Sequence, residues 1–201
     1  MFSAHRASGA TLGVATMQFQ FDELRATQAA ARLLKLAGGR ENYTKLLKLL
    51  YLADRKSLEV AGVPIAGATF VNMRNGPLAS DVYDCIKGER PCDLWSRYVE
   101  RRGFDVVLKG DPGDGELSDF DVETLDKLSM EYRSADFKVL IDVVHSLSEW
   151  KTRRPEGNTC VFLPPEEILR AAGVDDQTIE KLDEHNRHVD AVRAMLGRLP
   201  A

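Results

Sequence analysis

Apolar residues recur at helical spacing along much of the chain, and the repeats break at glycine and proline. Phe21, Leu24, Ala31 and Leu34 share roughly one face of a segment from about residue 21 to 37, which Gly38-Gly39 ends. The next periodic segment, from about 42 to 61, has a different character. Tyr43, Leu46, Leu47, Leu49, Leu50, Leu52 and Ala53 cover most of its circumference, and Gly62 follows its last turn. A helix that is apolar nearly all round is packed on several sides, so this segment is expected to be the central helix of the fold. Its charged residues (Lys45, Lys48, Asp54, Arg55, Lys56 and Glu59) must then reach solvent or pair with one another.

Beyond Pro64 the pattern changes. The run from Gly67 to Met73 has strand-like length and content, and Asn75-Gly76-Pro77 breaks it. Pro77 suits the start of the following helix, where its missing N–H costs nothing; Leu78, Val82, Cys85 and Ile86 give that helix an apolar face up to Gly88. A helix after Pro91 puts Leu94, Trp95, Tyr98 and Val99 inward and Arg97, Arg101 and Arg102 outward. A second strand is expected from Phe104 to Leu108. Ser118 and Asp121 have capping-box spacing at the head of a helix through Leu125, Leu128 and Tyr132. Another helix runs from Asp136 to near Trp150, residues 151–160 read as an exposed loop, and Pro164-Pro165 opens a short helix closed by Gly173. Ile179, Leu182, Asn186, Val189 and Leu196 mark an amphipathic helix from about Asp175, with its stripe expected to pack on the body of the protein. The expected fold is mainly α (α+β): a single globular helical domain round a central buried helix, with one small two- or three-stranded β element. Its organisation is a flexible extension over 1–17, a helical domain over 18–173 and a C-terminal amphipathic helix over 174–201.

The composition is that of a soluble globular protein: 201 residues, 44% apolar and 29% charged, with a formal net charge of −4. That acidic balance disfavours wholesale nucleic-acid binding, and the apolar runs fall short of the ~18 residues of a membrane helix. Three cysteines (Cys85, Cys92 and Cys160) without a Cys-x-x-Cys pair read as reduced thiols, and with them the expected compartment is the cytoplasm.

Catalytic signatures are missing. There is no Gly-x-Ser-x-Gly, P-loop or dinucleotide-binding glycine pattern. An enzymatic site would have to be assembled from scattered residues such as Asp54, His145 and Cys160, and no enzyme is expected. His185 and His188 beside Glu184 lack a third ligand and read as a solvated helix face, so neither metal nor cofactor is expected. Two arginine clusters (Arg97, Arg101 and Arg102; Lys151, Arg153 and Arg154) oppose an acidic stretch from Asp111 to Asp136, an arrangement that suits steering of a protein partner.

Three blocks carry a family resemblance: Lys45-Leu-Leu-Lys48-Leu-Leu-Tyr51-Leu-Ala-Asp54, then Gly62-Val-Pro-Ile65, then Asn75-Gly76-Pro77-Leu78 with Val82-Tyr83. In order and spacing they resemble the Panacea antitoxin domain, also called the SocA-like antitoxin family, with weaker support from Leu117-Ser118, His145 and Trp150. Many members have Val where this chain has Leu78, and an aromatic residue where it reads Arg55-Lys56-Ser57. The resemblance implies an antitoxin that neutralises a co-encoded protein toxin by direct contact, some members handing the toxin to a protease. Members pair with very different toxins. The motif residues Lys48, Tyr51, Asp54, Gly76 and Pro77 are expected to be mainly structural. Arg74, Asn75, Arg153 and Arg154 are the better candidates for partner contact, being polar groups on loops held by a rigid body. Trp150 is read as an anchor of either core or interface. The rival reading is a DNA-binding regulator of its own operon.

Overall fold

The computed structural model describes residues 17–196. Local sequence sets the helix starts. Helix α1 (Glu23–Leu36) begins where the Asp22 carboxylate accepts from Arg25 N–H. Strand β1 (Arg40–Asn42) leads directly into α2 (Tyr43–Ala61), capped by Asn42 Oδ1, which accepts from the Thr44 and Lys45 amides. Helix α2 is the core. Leu46, Leu47, Leu49, Leu50, Tyr51, Ala53 and Leu58 are all buried, as the apolar circumference predicts.

After α2 come β2 (Phe70–Met73), β3 (Gly76–Ala79), α3 (Ser80–Lys87), α4 (Asp93–Tyr98), β4 (Val99–Arg102) and β5 (Asp105–Leu108). They are followed by α5 (Asp119–Glu131), α6 (Phe137–Ser146), α7 (Ser148–Thr152), β6 (Val161–Phe162), α8 (Pro165–Ala171) and α9 (Asp176–Leu196). Helices α1, α5, α6 and α8 and strand β3 pack round α2. The fold is mainly helical, as expected, and its β structure is two antiparallel three-stranded sheets, ordered β1-β5-β4 and β3-β2-β6. The capping box of Ser118 and Asp121 forms as read. The helix through Leu140 and Val144 breaks at the extended Leu147, so α6 and α7 are separate.

Several local expectations are corrected. Pro77 does not open a helix. It lies in β3, an edge strand opposite Asn72, where a residue without an N–H is tolerated, and α3 starts only at Ser80. Arg97, Arg101 and Arg102 do not share a helix face, because Arg101 and Arg102 belong to β4. Part of the acidic stretch is engaged within the fold: Asp121 pairs with Arg25 at 2.8 Å, Asp126 with Arg32 at 2.6 Å and Asp111 with Lys35 at 2.6 Å, all on α1. Cys85 and Cys92 are joined in a disulfide, with Cα atoms 5.6 Å apart, which removes the reduced-thiol premise; Cys160 is free and exposed.

At the ends, residues 1–16 of the proposed extension lie outside the described residues, as do 197–201. Met17 is buried, and its N–H donates to Glu166 at 2.5 Å. Helix α9 docks on the end of α2. Ile179 is buried, and Asn186 Nδ2 donates to the Gly62 carbonyl at 2.9 Å. Gly62 has φ +72°, and a Cβ there would lie 2.6 Å from Leu182 Cδ2, so both backbone shape and space require glycine. No helix among the described residues is long and apolar enough to cross a membrane.

Leu50 tests the packing of α2. Leu50→Ala is expected to cost about 2–5 kcal/mol in urea unfolding, as for other large-to-small core changes. A loss below about 0.5 kcal/mol, the range of surface sites, would contradict the assignment.

Candidate functional site

Charged and polar groups on α2 are withdrawn from water, and each is held by a different distant segment. Lys48 is 1% exposed, and its Nζ donates to the carbonyls of Gly76 at 3.0 Å and Pro77 at 2.8 Å. Asp54 is fully buried, and its Oδ1 accepts from the amides of Ile65 at 2.8 Å and Ala66 at 2.7 Å. Tyr51 Oη donates to Glu149 Oε1 at 3.1 Å, an oxygen that also accepts from Arg55 Nε at 2.8 Å. Burial acts oppositely on the two ions. It pushes the Lys48 ammonium down to about 7 and the Asp54 carboxyl up to about 7, the latter against its amide hydrogen bonds. Burial, with the Glu149 charge beside it, also raises the Tyr51 phenol.

The Lys48 contacts fasten the turn between β2 and β3. Gly76 has φ +96°, and a Cβ there would lie 2.3 Å from Val144 Cγ2, so the turn lies directly on α6. Trp150 Nε1 donates to the Met73 carbonyl at 3.2 Å. The Trp150 ring stacks on His145 with centroids 3.7 Å apart, and the Arg154 guanidinium sits 5.0 Å from the centre of the same indole. Burial holds the His145 imidazole below its usual range, and the positive charges of Lys48 and Arg154 add to that. Buried Asn72 donates to the carbonyls of Glu149 and Arg153, tying β2 to α7. Arg74 and Asn75 form the exposed tip of this fastened turn.

The five residues expected at a partner contact therefore fall into two groups. Arg74, Asn75 and Arg154 are exposed, whereas Trp150 is only 5% exposed beneath the turn and Arg153 forks onto Glu167 of α8. Asn72, His145 and Glu149 complete the arrangement. A polar Asn inside the apolar run Phe70-Val71-Asn72-Met73 is the one sequence signal that could have pointed to it. The scattered residues considered for catalysis stay apart. Asp54 is engaged by the Ile65 and Ala66 amides, His145 stacks on Trp150, and Cys160 is exposed on the segment before β6. Among the described residues no three His, Cys, Asp or Glu side chains converge on a metal position.

A groove of about 430 Å³ opens beside the turn. One wall is the first turns of α2 with Tyr43, Thr44, Leu47 and Lys48. The other is Met73, Arg74 and Asn75 with Leu78, Tyr83 and the loop residues Asn158 and Thr159.

The fold of this region coincides with a known sequence family. The pattern described as antitoxin SocA-like, Panacea domain, matches residues 46–151, more than half of the 201-residue chain. The chain belongs to this family. No curated protein and no solved structure matches it. The Panacea match starts at Leu46 of α2 and ends at Lys151 of α7. It thus includes Lys48, Tyr51, Asp54, the β2–β3 turn, Glu149 and Trp150, and leaves α1, α8 and α9 outside. Membership supports an antitoxin role in general, and such a family suggests a role other than catalysis.

Two stability measurements test the buried groups. Lys48 binds its proton less tightly folded than unfolded, so it makes stability rise with pH from about 7 toward the ordinary lysine value of 10.5. Asp54 binds its proton more tightly folded, so it makes stability fall as pH rises from the ordinary 3.8 to about 7. In thermal melts across this range, Lys48→Met is expected to flatten the rising limb and Asp54→Asn the falling limb. Unchanged profiles would mean that both groups are hydrated. Secondly, Arg55→Met leaves the Glu149 carboxylate buried without its counterion and is expected to cost on the order of 3 kcal/mol by urea unfolding. Adding Glu149→Gln should recover part of that loss.

Proposed function

We propose that the chain is an antitoxin that neutralises a toxin encoded beside it by direct protein–protein contact, made by the tip of the β2–β3 turn and by Arg154. The observation that carries this reading is a turn fastened from α2, α6 and α7 with Arg74 and Asn75 exposed at its tip. A rigid turn loses little conformational entropy when it binds, so its polar contacts are not offset by ordering. Trp150 then acts from beneath as a support, and Arg153 holds the loop that carries Arg154. Binding to DNA has less behind it, since Arg97 lies on α4, Arg101 and Arg102 lie on β4, and Arg102 pairs with Glu100 at 2.8 Å.

The test is co-expression. The neighbouring gene is expected to arrest growth when induced alone, and this chain to restore it when induced together. Arrest that persists with both proteins present at comparable levels would refute the proposal. In rescued cells, blocking leaves the toxin level unchanged, and delivery to a protease lowers it.

A further inference from the structure

We propose that the groove between α2 and the β2–β3 turn receives an acidic segment of the toxin, with a carboxylate between Lys48 and Arg74 and an apolar side chain against Tyr43. This inference rests on the antitoxin reading and assigns the part of the toxin that the antitoxin recognises. Charge is the first argument. The protein carries a net charge of −4, yet the groove's only charged lining residues are Lys48 and Arg74, with no Asp or Glu among them. Arg74 forms no ion pair among the described residues, although ion pairs are frequent elsewhere on the surface.

Hydrogen-bonding capacity is the second. A lysine ammonium has three N–H donors. Two go to the Gly76 and Pro77 carbonyls, no acceptor among the described residues takes the third, and Lys48, though 1% exposed, is among the residues lining the groove. A carboxylate arriving there would supply that acceptor and a counterion at a site already stripped of water, where a charge-assisted hydrogen bond is strong.

The apolar contact is the third. Tyr43, half-buried, has Phe104 stacked on it with centroids 6.4 Å apart and the Arg101 guanidinium 5.4 Å from its ring centre. Phe104, at the tip of the β4–β5 hairpin, is 75% exposed. The wall of the groove is thus an aromatic shelf under a cation, continuous with an exposed aromatic ring, the residue types that dominate interface hot spots. A volume of about 430 Å³ lies in the range of small binding sites and suits one or two side chains. A second copy of this chain is the rival occupant, and calorimetry reads it: self-association of the chain alone that Thr44→Glu abolishes would assign the groove to a second copy and overturn this inference.

The experiment uses the full chain and the protein encoded by the adjacent reading frame, with affinity measured by calorimetry and neutralisation by growth. Arg74→Glu reverses charge at the exposed tip. Thr44→Glu places a carboxylate inside the groove at the start of α2, where helix geometry favours it. Both are expected to weaken binding about tenfold or more with unchanged melting temperatures, and Arg74→Lys to retain most of the affinity. Toxin variants selected to be neutralised again by Arg74→Glu are expected to carry Asp or Glu changed to Lys or Arg. If wild type neutralises and Thr44→Glu binds equally well, the groove is empty in the complex and this inference falls while the antitoxin reading stands. Suppressors confined to non-acidic toxin positions would likewise overturn it. A wild-type chain that does not neutralise the neighbouring protein removes the antitoxin reading itself.

Discussion

The Lys48 ammonium, carried into the interior by a helix that is buried on most sides, has to be given acceptors by some other part of the chain. Leaving it bare would cost several kcal/mol. The acceptors are the backbone carbonyls of Gly76 and Pro77, which reach Nζ only if β3 runs along α2 in one register. That requirement fixes the hairpin. Gly76 supplies the φ of +96° that the turn needs, and Pro77, which cannot donate to a ladder, sits on the edge strand where no donor is wanted. Asp54 does for the 65–66 segment what Lys48 does for β3, and Tyr51 with Arg55 does it for α7 through Glu149. Apolar packing alone would tolerate small slides of these segments over α2. A buried polar group held by specific partners does not, because a shift of an ångström breaks those hydrogen bonds in a low-dielectric interior.

The same logic sorts the surface charges. Arg25, Arg32 and Lys35 of α1 meet Asp121, Asp126 and Asp111, but these pairs are unequal. The Asp121 side chain is 2% exposed and also closes the capping box of α5, so Arg25 holds a helix start in place. Lys35 and Asp111 are largely in water, and such a pair contributes about 0–1 kcal/mol. The consequence for function is spatial. Three of the acids of the 111–136 stretch are engaged with α1, and not with the turn or its partners in α6 and α7. The turn and its groove keep their cations without acids among the residues lining them.

Periodicity revealed the helices because burial of α2 and the amphipathic faces of α1, α6 and α9 leave a repeating signature, and the Ser118–Asp121 box is local by nature. The strands were harder to see. Four of the six have four residues and the others three and two, too few for an alternating pattern to stand out. Pro77 was misread because a proline before an apolar run fits a helix start as well as an edge strand. The arginines at 97, 101 and 102 looked like one face only under the assumption that α4 continued past Tyr98. The candidate site was legible in part: Arg74 and Asn75 stand out as polar residues between a strand and Gly-Pro. Its fastening was not, because Lys48 is held by main-chain oxygens 28 and 29 residues away, and every residue type presents the same carbonyl.

That choice of acceptor also separates the position of the turn from what the turn exposes. The groups that hold the β2–β3 turn are the Gly76 and Pro77 carbonyls, the Met73 carbonyl under Trp150 Nε1, and the close approach of Gly76 to Val144. None of them involves the side chains at positions 74 and 75, which are exposed. Substituting an exposed tip residue therefore changes what the turn offers to a partner at a stability cost within the small range typical of surface sites. Substituting Lys48 or Gly76 moves the turn itself. Inward residues that set position through backbone contacts, and outward residues whose side chains do not bear on the fold, are separable by construction.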